Sequence, residues 1–164
     1  MYILGVNDYH GDAAAAIVKD GKLIAAVEEE RLNRKKHCAG FPTLAIRYCL
    51  DAAGITAGEL DHVGISRDPS ANLHKKILFS MSRLTNLPGL LSKRIANAAK
   101  VRNLKEELAK ALGVQEASFH AQFHNVEHHK AHMASCFLVS PFEKAAILSI
   151  DGFGDFISTI WGYG

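Results

Sequence analysis

The stretch "YILGVNDYHGDAAAAIVKDGKLIAAVE", Tyr2–Glu28, holds the pattern that decides the fold. Its first apolar run, Tyr2–Val6, predicts a short buried strand. Two more apolar runs, Ala13–Val18 and Leu23–Val27, flank Asp20-Gly21. This pair is favoured in tight hairpin turns, because both central residues of such a turn need a positive φ. The chain is therefore predicted to begin with three antiparallel strands.

A helix and a fourth strand follow the hairpin. The run "FPTLAIRYCLDAAG" (41–54) predicts a helix, with Pro42 in its first turn and Gly54 after its last. Most of its apolar side is assigned to Leu44, Ile46, Cys49 and Leu50. The run "DHVGIS" (Asp61–Ser66) predicts the fourth strand. The order strand-strand-strand-helix-strand matches the ribonuclease H-like core that actin-like ATPases also use, so we expect an α/β lobe with a mixed sheet.

Composition predicts a compact protein without a membrane segment. The chain has 164 residues, 48% of them hydrophobic, which suits one core and argues against disorder. The N-terminus lacks the basic region of a signal peptide, and no run reaches the roughly 20 apolar residues of a spanning helix. The net charge of +2 gives only weak support for a nucleic-acid partner. Three scattered cysteines, Cys38, Cys49 and Cys136, indicate reduced thiols, so we expect a cytoplasmic protein.

The middle of the chain has a helical pattern. Residues 68–113 predict two or more helices, broken at Leu87-Pro88-Gly89, that form a helical insertion in the lobe. Apolar residues fall at helical spacing in its last part, at Val101, Leu104, Leu108 and Leu112. We expect a solvated amphipathic segment, with a docking surface as the alternative. Further on, His128–Ser140 predicts a helix that Pro141 ends, and Ala145–Asp151 predicts another buried strand.

A short internal sequence repeat relates the two ends of the chain. Both "ILGVNDYHGD" (Ile3–Asp12) and "ILSIDGFGD" (Ile147–Asp155) place a polar residue after an apolar strand and end in Gly-Asp. In actin-like ATPases two such units bind phosphate, because glycines in them let backbone N–H groups approach the anion. Gly152 and Gly154 are the candidates for this role in the present chain. We therefore expect a first lobe over residues 1–144 and the start of a second, truncated lobe over 145–164. The chain would then be the N-terminal part of a longer protein.

Three histidines stand close together in "VEHHKAHMASC", Val126–Cys136. Residues four apart share one face of a helix, so His128 and His132 can chelate one ion. His129 points about 100° away and is assigned a supporting or structural role. Asp151 ends the strand that follows and is the best candidate for a third ligand; histidine with carboxylate suits iron, manganese or zinc. The alternative is a helix N-terminus that carries surface histidines.

A second candidate lies in the turn after the first strand. His10 in "NDYHGD" sits beside glycine and could act as a general base, because histidine titrates near neutral pH. Asp8 or Asp12 could orient its ring. The alternative is a turn with polar caps.

A third candidate is the cationic segment "EEERLNRKKHCAGFP", Glu28–Pro42. Arg34 and Lys36 in this segment could hold a phosphate or an adenylate. The alternative is a solvated run of charge.

Three stretches occur together in a specific order: "YHGDAAAAIVKDGKLIAAVEEERLNRKKHCAGFP", "HHKAHMASCF" followed by "SPF", and "ILSIDGFGD". In this combination the chain resembles the nodulation/antibiotic carbamoyltransferase family over nearly its whole length, although no motif covers residues 69–113. Members of that family look like two-part enzymes, in which an actin-like domain precedes an adenylate-forming domain.

The resemblance implies both an activity and a site. The adenylate-forming domain makes carbamoyl-adenylate from carbamoyl phosphate and ATP. The actin-like part transfers the carbamoyl group to a hydroxyl of a sugar-containing or antibiotic acceptor. His10 matches a residue of the acceptor or catalytic site, with Asp8 beside it, and Lys36 matches a basic residue near the adenylate. A divalent metal, commonly iron(II), would be bound by His128, His132 and Asp151, with one more aspartate from the second lobe.

Other functions remain as alternatives. They are a threonylcarbamoyl transferase acting on tRNA, an actin-like kinase, and a non-enzymatic scaffold. The segment Glu28–Pro42 favours the O-carbamoyltransferase over the tRNA enzyme. Because the second lobe and the adenylate-forming domain are absent from these 164 residues, we expect the chain to be inactive alone. We expect neither a membrane nor a nucleic acid as partner, and we leave a homodimer open.

Overall fold

The computed structural model of the protein describes residues 1–9, 11–75, 78 and 104–164. The chain divides into two compact units. The first unit combines Met1–Ser66 with Ala99–His124, and the second combines Arg67–Ala98 with Asn125–Gly164. The predicted division into lobes over 1–144 and 145–164 stays a prediction. Within the described part of the chain, no helix is long and apolar enough to cross a membrane.

The first unit opens with three antiparallel strands, as predicted. They are β1 (Tyr2–Asn7), β2 (Ala14–Lys19) and β3 (Lys22–Glu28). The pairing runs from Tyr2 opposite Lys19 to Asn7 opposite Ala14. At the β2–β3 turn, Asp20 has φ 49° and Gly21 has φ 79°, the backbone conformation that the Asp-Gly pair favours. The predicted hairpin is therefore confirmed.

Two further strands make the sheet mixed. β4 (His62–Ile65) lies parallel to β1, with Ile3 opposite His62 and Val6 opposite Ile65. β5 (Gln122–Asn125) lies beyond it. In the described part of the chain the sheet has five strands in the order β3-β2-β1-β4-β5. This confirms an α/β fold whose mixed sheet begins with three antiparallel strands.

A helix predicted at 41–54 covers one face of the sheet. It is α2 (Thr43–Ala53), it follows a short α1 (Glu29–Asn33), and it ends at Gly54, where φ is 66°. The assignment of Leu44 to its buried side is wrong, because Leu44 is 39% exposed. Its neighbour Ala45 is buried instead, with Ile46, Cys49 and Leu50.

The buried carboxylate of Glu29 holds the start of α2. One Glu29 oxygen accepts from the backbone N–H of Leu44 at 3.2 Å, and the other accepts from that of Ala45 at 2.8 Å. The first N–H groups of a helix have no partner inside the helix and favour a negative charge. Glu29 therefore fixes α2 against the end of β3.

The end of the predicted helical insertion belongs to the core of the first unit. Helix α3 (Leu104–Leu112) buries Leu104 and Leu108 against the sheet and α2. Its charged residues lie on the remaining faces, as amphipathic spacing predicts. Val101 and the predicted break at Leu87-Pro88-Gly89 lie outside the described residues.

The second unit contains helix α4 (His128–Phe137) and a hairpin of β6 (Ala146–Gly154) and β7 (Ile157–Tyr163). The helix ends three residues before the predicted end at Ser140. Proline disfavours helical backbone at the residue before it, and the chain turns at Ser140, whose N–H bonds to the Phe137 carbonyl at 3.0 Å.

The prediction of a buried strand at 145–151 is wrong, because four of its seven residues are exposed. Leu148 is 62% exposed and Ile150 is 72% exposed, whereas Ser149 between them is buried. Side chains alternate between the two faces of a strand, and within this unit α4 packs against the face that carries Ser149. On β7, Trp161 and Tyr163 are exposed as well.

Candidate metal centre

Helix α4 places two of the predicted ligands on one face. His128 and His132 are four residues apart, so their side chains lie one above the other. Their Nε2 atoms are 3.1 Å apart, and the ring centroids are 4.6 Å apart. Two imidazole nitrogens thus point to one place, as the helical spacing predicts.

Strand β6 brings the third predicted ligand to the same place. Asp151 Oδ2 lies 2.6 Å from His128 Nε2 and 3.5 Å from His132 Nε2. The β6–β7 register shifts between Ile150 and Gly154, so Asp151 lies in a bulge of β6. A bulge turns a side chain away from the regular alternation of the strand, which here directs Asp151 to the histidines.

The carboxyl group of Asp151 is more acidic than usual in this setting. The hydrogen bond from the His128 imidazole, followed by that from the Gly152 backbone N–H, lowers the pKa of Asp151 to about 2. Asp151 therefore stays anionic at neutral pH. Neutral imidazole and ionised carboxylate are the forms that bind metal.

The three donors fit a divalent transition metal. One ligand atom from each of His128, His132 and Asp151 lies within 4.8 Å of the other two. Two metal–nitrogen bonds of about 2.0–2.1 Å place neighbouring donors about 3 Å apart, close to the spacing of the two histidines. Two imidazoles with one carboxylate suit iron, manganese or zinc. The role of these residues as ligands stays a prediction.

Gly154 makes room for His128. A Cβ atom at Gly154 would lie 2.6 Å from His128 Nε2 and nearer still to two carbons of the ring. At Gly152 a Cβ would meet nothing within 4 Å. Both glycines were predicted to approach a cofactor phosphate, which stays a prediction. What the structure adds is that Gly154 packs against a candidate ligand.

His129 joins α4 to the hairpin. Its ring is fully buried, with Nδ1 2.8 Å from Ser149 Oγ and Nε2 2.9 Å from the Ile157 carbonyl oxygen. A carbonyl only accepts, so Nε2 carries a proton and donates it; in the neutral ring Nδ1 accepts from the Ser149 hydroxyl. The predicted structural role of His129 is therefore confirmed, whereas nothing in the sequence pattern singled out Ser149.

Acidic side chains already occupy the N-terminus of α4. Glu127 accepts from the backbone N–H groups of His129 and Lys130. Asp155 Oδ2 accepts from that of His128 at 3.0 Å and from that of Asp68 at 2.9 Å. Asp155 was predicted to lie in a phosphate-binding turn, which stays a prediction. In the structure, the β6–β7 turn consists of Asp155 and Phe156, both with positive φ. Sequence reasoning missed the capping role of Glu127.

The other predicted site residues lie in the first unit, apart from His10, which lies outside the described residues. Asp8 follows β1 and is 3% exposed. Arg34 and Lys36 are exposed, and Arg34 ends α1 in the left-handed conformation with φ 61°. Asp12, predicted as a partner of His10, places Oδ1 3.5 Å from His37 Nδ1. The predicted roles of these residues in catalysis and phosphate binding therefore stay predictions.

Relatives cover almost the whole chain. An uncharacterized protein of Synechocystis sp. is 38% identical over 98% of this chain and 27% of its own length. The nodulation protein NolNO of Sinorhizobium fredii is 37% identical over 96% of this chain and 22% of its own length. The chain thus spans about a quarter of the length of these relatives. Among solved structures, YeaZ from Pseudomonas aeruginosa is 16% identical over 92% of this chain and 55% of that one, with a TM-score of 0.38, too low to bear on the fold.

The family that matches is described as Carbamoyltransferase N-terminus. The match runs from residue 2 to residue 163 and therefore includes both compact units and all three candidate ligands. It agrees with the resemblance carried by the three motif stretches. The chain belongs to the carbamoyltransferase N-terminal family.

Proposed function

We propose that this chain is the metal-binding part of an O-carbamoyltransferase. The reaction moves a carbamoyl group from carbamoyl-adenylate, made from carbamoyl phosphate and ATP, to a hydroxyl of a sugar or natural-product acceptor. A bond forms between the acceptor oxygen and the carbamoyl carbon, the bond from that carbon to AMP breaks, and the hydroxyl proton leaves to a base. Membership of the family and the likeness to NolNO support this proposal.

The observation that carries the proposal is the convergence of His128, His132 and Asp151 in a chain of this family. When bound, a divalent metal, with iron(II) the first choice and zinc or manganese the alternatives, would polarise the carbamoyl oxygen or hold a phosphate. Asp151 supplies a fixed negative charge to the ion because its pKa is about 2. His129 and Gly154 hold the helix and the His128 ring in position.

Residues of the first unit are assigned to substrates. His10 takes the proton of the acceptor hydroxyl, with Asp8 as its partner. Arg34 and Lys36 bind the phosphate of the adenylate, because cationic side chains in an exposed segment are accessible to an anion. In the second unit, Gly152 and Gly154 let the backbone approach the nucleotide. We infer the finer fold to be a ribonuclease H-like, actin-like lobe, completed by a second lobe and an adenylate-forming domain of a cytoplasmic enzyme.

A metal analysis combined with a transfer assay tests this function. The protein that contains this chain is purified anaerobically as wild type, as His128→Ala/His132→Ala, and as a control in which the exposed His120 is changed to Ala. We expect bound iron and transfer of radiolabelled carbamoyl from carbamoyl phosphate to aminoglycoside or sugar acceptors in the wild type and the control. Both are expected to be lost in the double variant.

Two outcomes contradict the proposal. Unchanged iron content in the double variant refutes the metal centre. Normal metal content without carbamoyl transfer to any hydroxyl acceptor, but with ATP-dependent modification of tRNA, would favour the threonylcarbamoyl alternative.

A further inference from the structure

Two histidines that have no role in the proposed function meet on the first unit. His62 is the first residue of β4 and His124 is the third residue of β5, the strand beside it. Val63 and Ile65 point into the core, so His62 points to the opposite face of the sheet. Phe123 packs against the core, so His124 points to that opposite face as well. Both rings therefore share the outer face.

The ring nitrogens of this pair lie at ligand spacing. His62 Nδ1 and His124 Nε2 are 3.0 Å apart, and the ring centroids are 5.1 Å apart with a tilt of 48°. Two metal–nitrogen bonds of about 2.0–2.1 Å put the nitrogens about 2.9 Å apart at a right angle and about 3.3 Å apart at a tetrahedral angle. The observed spacing falls between these two values.

The backbone under the pair is held in place. β4 is paired with β1 on one side, where His62 lies opposite Ile3. On the other side the Gln122 N–H donates to the Asp61 carbonyl at 2.9 Å, which joins the chain ahead of β4 to β5. Two side chains on fixed neighbouring strands lose little freedom when they bind a common ion, so the site is preorganised.

We propose that His62 and His124 form a second metal site, a two-imidazole chelate for a divalent transition metal such as copper, nickel or zinc. Neutral imidazole selects these ions over magnesium and calcium. Only one of the two facing nitrogens can carry a proton. When the ion binds, the neutral ring that carries this proton changes tautomer, so that the proton lies on its other nitrogen. His124 is exposed and His62 is half-buried, so water or a small anion fills the remaining positions.

Copper(II) is the best probe, because it binds nitrogen ligands most tightly among the divalent first-row metals. The purified chain is titrated as His128→Ala/His132→Ala, which removes the first centre. The same background then carries His62→Gln/His124→Gln or, as a matched control, His120→Gln, an exposed histidine ahead of β5. Electron paramagnetic resonance reports how many nitrogens coordinate the copper. Circular dichroism checks that each variant is folded.

We expect the background protein to hold about one copper per chain with hyperfine splitting from two imidazole nitrogens. His62→Gln/His124→Gln should abolish this signal, each single change should weaken binding, and His120→Gln should leave it intact. The proposal is overturned if His62→Gln/His124→Gln keeps the same nitrogen signal, or if His120→Gln loses as much copper. Because the first centre is absent throughout, failure here is distinct from failure of the proposed function.

Discussion

At the scale of single residues, Gly154 has no room for a side chain, because the His128 ring lies where a Cβ would be. Changing Gly154 to Ala places a methyl group where the His128 ring lies, so the ring or the strand must move. Moving one ligand out of position lowers metal affinity, and we expect a loss of about tenfold or more. Gly152→Ala is the matched control, because its Cβ meets open space and its N–H to Asp151 is kept. Titration with iron(II) or zinc measures the metal affinity of both variants. Equal affinities would refute this role of Gly154.

Cys49 and Cys136 are expected to differ in their reactivity toward alkylating reagents. Burial raises the pKa of the Cys49 thiol to about 11, and Cys136 is exposed. Only the thiolate reacts with an alkylating reagent, so at pH 8 Cys136 should be alkylated in the native protein and Cys49 should be protected. Burial of the Cys49 thiol also makes the free energy of unfolding depend on pH. Because the pKa of Cys49 is higher in the folded than in the unfolded protein, the stabilisation from burying the neutral thiol is fully present below the unfolded pKa. It is lost as the pH rises from there toward about 11. Mass spectrometry after iodoacetamide treatment checks the order, and equal rates would contradict it.

At the scale of elements, the start of α2 depends on a residue outside that helix. Glu29→Ala leaves the N–H groups of Leu44 and Ala45 without their acceptor, and we expect a loss of about 1–2 kcal/mol in the free energy of unfolding. Glu28→Ala is the control, since in the described part of the chain the Glu28 side chain bonds only to the exposed Arg31, at 3.2 Å, and we expect a change near zero. Urea denaturation measures the difference, and similar losses in both variants would contradict it.

How far the sequence predicts an element depends on how local its cause is. The turn at Asp20-Gly21 and the approach of His128 to His132 follow from nearest-neighbour geometry, and both are found. The exposure of Leu148 and Ile150 could not be predicted, because an apolar run does not reveal which face of a strand is covered.

Contacts between distant segments were also out of reach. The space that Gly154 leaves for His128 depends on how β6 packs against α4. The pair of His62 and His124 depends on the register of two strands that are far apart in the chain. A side-chain pattern shows periodicity, whereas register and packing appear only when the elements are assembled.

At the scale of the whole molecule, the division into two units predicts where metal binding acts. The candidate ligands His128, His132 and Asp151 all belong to the second unit, whereas β1 to β3 belong to the first. A ligand stabilises the folded state of the part that binds it, by about 2.7 kcal/mol at a free concentration 100 times its Kd. The effect of metal should therefore be local, unless unfolding of the whole chain is one cooperative event.

Hydrogen exchange distinguishes these two cases. The experiment uses His62→Gln/His124→Gln, so that zinc cannot bind the second proposed site, and compares exchange with and without a saturating amount of the ion. We expect slower exchange in α4 and in β6 and β7, by about 100-fold where opening exposes the ligands, and no change in Tyr2–Glu28. Adding His128→Ala/His132→Ala should remove the protection. Equal protection of both units would mean that the chain opens as a single cooperative body, so that the first unit depends on the metal held by the second.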